Sequence, residues 1–173
     1  MNQNLNRILA EQKGKTKLSL LICLSMLVAS ILLLVNGQMI GLVFLAMSLI
    51  IGAALLVRIR RARAEMSKLG NNDEAGKKLD GAGAVYYPAF GLTIGPDFAV
   101  LEKPVLQVFL LHEMSKFEVG LAGDVQKVLF LTDRDGKRHP IAETRKEDDH
   151  QADFDRAYRQ IRDIFSKGTN AEN

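Results

Sequence analysis

The sequence predicts an α+β membrane protein: an N-terminal transmembrane helical hairpin, then a small, mostly antiparallel β domain closed by a C-terminal helix. Three observations carry this. Of the 173 residues, the 40 consecutive positions 18–57 contain no Asp, Glu, Lys, Arg or His. After residue 84, short β-branched and aromatic runs alternate with Gly, Pro and Asp turns. From residue 151 the apolar spacing becomes helical.

The hairpin comes first. Residues 18–35 and 39–57 are apolar runs separated by Asn36, Gly37 and Gln38. At about 1.5 Å per residue each reaches roughly 27 to 29 Å, enough for a hydrocarbon core of about 30 Å. Three polar residues cannot recross a bilayer, so the helices are antiparallel neighbours. The competing reading is a cleaved signal peptide followed by a buried helix. The first run is long for a signal peptide and lacks a small-x-small cleavage site.

Both flanks are basic. Residues 1–17 form a basic N-terminus with Arg7, Lys13, Lys15 and Lys17 against Glu11. Residues 58–69 form a basic helical extension with Arg58, Arg60, Arg61, Arg63 and Lys68 against Glu65. The positive-inside rule then predicts a multi-pass protein of the plasma (inner) membrane with both termini cytoplasmic. Two readings of the second flank stand: a topology signal, or contacts to anionic lipid headgroups through Arg58, Arg60, Arg61 and Arg63. Small residues recur four apart at Ser25 and Ala29 and at Ser48 and Gly52, which are the candidates for helix packing. No ionisable group interrupts the apolar runs, which argues against a proton or ion path through this chain.

Charge divides at the same place. Residues 1–68 hold 9 basic and 2 acidic side chains, and residues 69–173 hold 14 basic and 18 acidic. The net charge of +3 therefore comes from the flanks of the apolar runs and does not indicate nucleic-acid binding. Cys23, the only cysteine, rules out an intramolecular disulfide.

Residues 70–83 are rich in Gly, Asn, Asp and Lys and read as a linker. The cytosolic β domain follows over 84–167, with runs at 85–90, 92–95, 98–101, 105–111, 117–121 and 128–132, and a hairpin at Asp135-Gly136 that returns a last strand over 137–141. Pro140 restricts that strand to an edge. Phe154, Tyr158, Ile161, Ile164 and Phe165 mark one face of the closing helix, with Asp148 or Asp149 as its cap and Gly168 as its end. Residues 168–173 form a tail. The edge at 105–111 is the candidate docking surface, because unpaired strands recruit partners.

The stretches Gly91-Leu92-Thr93-Ile94, His112 to Val119 (HEMSKFEV) and Asp133 to Lys137 (DRDGK), set between a two-helix hairpin and a closing helix, are similar to those of bacterial pleckstrin-homology-like (PH-like) membrane proteins. The resemblance covers residues 84–166. It implies the fold; the chain has no Trp and no clear basic pocket, and no binding residue is carried over.

Catalytic and metal motifs fail on spacing. His112-Glu113 has Lys116 where a zinc helix needs its second His. His139 and His150 have no cysteine nearby. The run from Asp133 to Gly136 puts Lys137 at a calcium-ligand position and Thr144 where a Glu belongs. Gly14-Lys15-Thr16 has Leu9 in place of the first glycine of a phosphate loop, and Gly81 and Gly83 meet Tyr86 where a dinucleotide loop needs its third. Tyr86, Tyr87, Phe90 and Phe98 read as core and not as a nucleic-acid platform. The charged run 143–150 reads as a solvated loop, or as an acidic contact for a basic partner.

The expectation is a non-enzymatic protein without cofactor, metal, nucleic acid or small-molecule substrate, an accessory subunit or assembly factor of a larger membrane complex. The alternative is a protein that senses or handles anionic lipid.

Overall fold

The computed structural model describes residues 3–122, 126–145 and 149–169, which form two compact units dividing between Ala64 and Glu65.

The first unit is helical. Helix α1 (Gln3–Val35) is 33 residues long and α2 (Ile40–Ser67) is 28. Both are long and apolar enough to cross a membrane. The flank expected as a basic N-terminus is the start of α1, because it holds good helix formers and a Glu11–Lys15 ion pair of 2.8 Å at helical spacing. The turn ends α1 in a Schellman motif. Gly37 takes φ +73°, its N–H donates to the Leu34 carbonyl at 3.0 Å, and Gln38 N–H donates to Leu33 at 2.9 Å.

The second unit opens with the last residues of α2. The expected linker is a helix, α3 (Asn72–Leu79). Asn71 and Glu74 form a capping box, Asp73 and Glu74 sit at its start and Lys77 and Lys78 at its end, and Leu79 is fully buried. Turn-forming composition hid the Asn-x-x-Glu spacing that starts this helix.

Seven strands then make two antiparallel meanders. Strands β1 (Val85–Tyr87), β2 (Leu92–Ile94), β3 (Phe98–Leu101) and β4 (Gln107–Leu110) form one sheet in chain order. Strands β5 (Met114–Ala122), β6 (Gln126–Asp133) and β7 (Arg138–Arg145) form the other. Between them His112 and Glu113 lie in a 3-10 turn, Leu111–Glu113. The β6–β7 hairpin turns at Gly136, φ +82°, and Asp133 Oδ1 accepts the Lys137 N–H at 2.8 Å.

Helix α4 (Gln151–Thr169) closes both sheets over one core. Phe154, Ala157 and Ile161 are buried, each by about one turn's offset, while Tyr158, Ile164 and Phe165 pack at the margin. The helix continues past Gly168. Gln160 ties it to the first sheet: Nε2 donates to the Gly83 and Ile94 carbonyls at 3.0 and 3.1 Å, and Oε1 accepts the Tyr87 hydroxyl at 2.8 Å. Burial there pushes the Tyr87 phenol above its usual pKa. Asp148, within the charged run, and residues 170–173 of the tail lie outside the described residues.

Candidate functional site

The helix seam differs from the one small-residue spacing suggests. Ser48 is buried, its Oγ donates to the Cys23 carbonyl at 3.1 Å, and Cys23 Sγ lies 3.3 Å from the Ser48 carbonyl. Seven residues along each helix, the buried Ser30 Oγ donates to the Gly41 carbonyl at 2.9 Å. A Cβ on Gly52 would lie 3.6 Å from Cys23 Sγ, whereas one on Gly41 would lie 2.7 Å from Leu34 Cγ. Ser48 and Gly52 thus face α1. Ser25 and Ala29 are corrected: Ser25 is exposed and bonds within its own helix to the Ile22 carbonyl, and both residues line the groove of Lys17, Leu21, Val28 and Leu32. Ser25 lies two residues from Cys23, about 200° around the helix, so both cannot face α2.

Arg58, Arg60, Arg61 and Arg63 form a basic collar around α2. Arg60, Arg61 and Arg63 are exposed and Arg58 is half-buried. At about 100° per residue these four point around α2 in several directions and converge on no common point.

The candidate site is at the β4 edge. In an antiparallel edge strand alternate residues turn both backbone polar groups outward, and Val108 is one of them. Its N–H donates to Glu65 Oε2 at 2.8 Å, and its carbonyl accepts from Lys68 Nζ at 3.3 Å. Glu65 and Lys68 are themselves paired at 2.9 Å. Glu65 in the last turn of α2 and Lys68 just past its end stand three apart, so one side chain supplies the acceptor and the other the donor that a neighbouring strand would supply. The edge at 105–111, expected to be open, is closed here by side chains.

Beside this closure runs an open groove of about 770 Å³, lined by Glu65, Lys68, Phe109, His112, Glu113, the β6–β7 turn and His139. The hairpin fixes its far wall. His139 packs on the Phe109 ring at 5.2 Å between centroids, and its Nε2 lies 3.0 Å from Asp133 Oδ2. A carboxylate only accepts, so Nε2 carries the proton. The His139 hydrogen bond, helped by the Lys137 and Asp135 amides, holds the Asp133 carboxyl below the usual carboxylate range. Arg134 Nη2 donates to the His112 carbonyl at 3.0 Å, tying the hairpin turn to the 3-10 turn that precedes β5.

The polar groups of this groove are largely engaged with one another. The Asp133–His139 pair resembles half of a general-base arrangement, but the nearby Ser115 hydroxyl is directed to the Thr132 and Asp133 carbonyls, at 3.1 and 2.8 Å. Among the described residues no group of three or more His, Cys, Asp or Glu is placed to hold a metal. The lining carries Lys68, Arg134 and Lys137 against Glu65, Glu113, Asp133 and Asp135. A groove with more acidic than basic groups suits a mixed polar peptide surface better than an anionic headgroup. The sequence signal for this site was weak, because Glu65 and Val108 are 43 residues apart and only the fold joins them.

Comparison with known proteins returns nothing: no protein family, curated protein or solved structure matches the chain.

Proposed function

We propose that this chain is a non-enzymatic, membrane-anchored docking protein, an accessory subunit or assembly factor whose PH-like β domain binds a partner protein of a larger membrane complex. The observation that carries this reading is the Val108 edge, satisfied by side chains that a strand can replace. The Glu65 and Lys68 side chains are 25% and 42% exposed, so an incoming strand has access to both. The adjoining mixed-charge groove gives such a strand side-chain contacts. The PH-like assignment draws support from the division of seven strands into meanders of four and three, with one core under a C-terminal helix. The two apolar helices, long enough to cross a membrane, support the anchor, and the basic flanks support a topology with both termini in the cytoplasm.

The test is purification of the full-length tagged chain from native membranes in mild detergent, with partners identified by mass spectrometry. A stoichiometric partner lost in a Glu113→Lys variant, at an exposed position of the groove lining, supports the reading. A chain that runs alone at its own mass contradicts it.

A second reading, binding of anionic lipid, rests on the exposed Arg60, Arg61 and Arg63. It places the contact on the collar and leaves the groove free.

A further inference from the structure

Each sheet has two edge strands, and three of the four edges carry a protective device. Strand β1 is only three residues long. Strand β4 is closed at Val108 by Glu65 and Lys68. Strand β7 contains Pro140 and a register shift opposite Leu129 and Phe130. Strand β5 is different. Its irregularity ends at Lys116, and from there to Ala122 its residues pair one to one with Thr132 to Gln126 of β6. Among the described residues β6 is the only strand paired with it. The pleat puts Phe117, Val119 and Leu121 on one face. Phe117 packs on Tyr158 and Phe165 of α4, whereas Val119 is 44% exposed and Leu121 74%.

We propose that the β5 edge is a self-association surface, pairing antiparallel with β5 of a second copy of this chain about a two-fold axis at Val119. That register uses the whole regular segment, roughly 24 Å at about 3.4 Å per residue. It sets Val119 opposite Val119 and Phe117 opposite Leu121, so the apolar stripe extends across the joint. On the other face Glu118 stands opposite Gly120 and Lys116 opposite Ala122, so no like charges are opposed. Glu118 brings its own counter-charges, Arg138 at 2.7 Å and Lys116 at 3.1 Å. The closed isologous geometry stops at two copies. One strand pair is a small interface, in the class below about 1,200 Å² typical of transient contacts. The anchoring proposed above raises the local concentration of copies and so favours it.

The test is cysteine cross-linking of the full chain in membranes, in a Cys23→Ser background. Val119→Cys lies on the axis and meets itself, so oxidation gives a dimer of this chain. Lys116→Cys, at a position whose side chain is 60% exposed, is the register control, since its two copies stand about 20 Å apart at about 3.4 Å per residue. Val85→Cys, 44% exposed on β1, controls for random collision. The expected dimer yield is about tenfold higher for Val119→Cys than for either control, reflecting its high effective concentration, and Leu121→Lys added to Val119→Cys lowers it. Equal yields at all three positions, or coupling of Val119→Cys to a different protein, overturn the proposal. Membrane fractionation is scored separately: a chain absent from the membrane pellet counts against the anchoring and leaves the cross-link pattern to judge the strand pairing.

Discussion

The Glu65 carboxylate accepts the Val108 amide at 2.8 Å across 43 residues of sequence, which makes a side chain at the end of a helix serve as the neighbour of a β-strand. A charge-assisted bond to a backbone amide contributes about 1.5 to 3 kcal/mol. Glu65→Ala is therefore expected to raise the hydrogen-exchange rate of the Val108 amide by about tenfold or more, leaving the amides that pair β2 with β3 unchanged. Equal exchange in both proteins would show that the bond does not close the edge.

In the hairpin, Gly41 and Gly52 are expected to respond differently to alanine. At Gly41 the new methyl meets Leu34 Cγ at 2.7 Å and the Ser30 carbonyl at 2.9 Å, while at Gly52 the closest atom is at 3.6 Å. Gly41→Ala is expected to cost about 1 to 3 kcal/mol through overpacking, and Gly52→Ala to be close to neutral. Thermal unfolding in detergent micelles, followed by helical circular dichroism, measures both.

Acid is expected to loosen the β6–β7 hairpin. The Asp133 carboxyl is held below its ordinary value, chiefly by the His139 hydrogen bond. Its contribution is complete above the unfolded carboxyl value of about 3.9 and disappears as pH falls through the lower folded value. Melting temperatures between about pH 5 and 2 should fall more steeply for the native chain than for Asp133→Asn. Parallel curves would remove Asp133 from the acid response.

Gln160 joins α4 to the first sheet through the Tyr87 hydroxyl and the Gly83 and Ile94 carbonyls. Gln160→Ala strands these partners, for a cost of about 1 to 3 kcal/mol. Tyr87→Phe removes one bond and is expected to cost about 1 kcal/mol. Denaturant unfolding of the two variants gives the comparison.

Neutralising Arg58, Arg60, Arg61 and Arg63 tests the lipid reading. If the collar grips headgroups, binding of residues 58–173 to phosphatidylserine vesicles falls with added salt and with the four substitutions, at about 1 kcal/mol per charge. Unchanged binding would leave the collar as a topology signal.

Much of the architecture was legible in the residues. The uninterrupted apolar runs, the turn chemistry at Asn36-Gly37 and Asp135-Gly136, and the Phe154 to Phe165 stripe are local patterns that packing does not override. The misses came from patterns that carry two meanings. Residues 70–83 have the composition of a linker, yet Asn71 and Glu74 hold the spacing of a capping box. Ser25 and Ala29 share the small-residue spacing of Ser48 and Gly52, but spacing within a helix does not say which face meets its neighbour. The spacing of seven from Cys23 to Ser30 and from Ser48 to Gly41 was the better guide. The Glu65 to Val108 bond left no local trace, because it depends on the path of the chain between them.

Under the proposed docking role, the closure of the β4 edge also determines how a partner would be chosen. A strand docking at Val108 gains one acceptor and one donor and releases Glu65 and Lys68, which provided the same two, so the exchange of main-chain partners is nearly balanced. Any extended peptide makes that trade equally well. Selection must then fall on the side chains that reach His139 and the charged turn beside it.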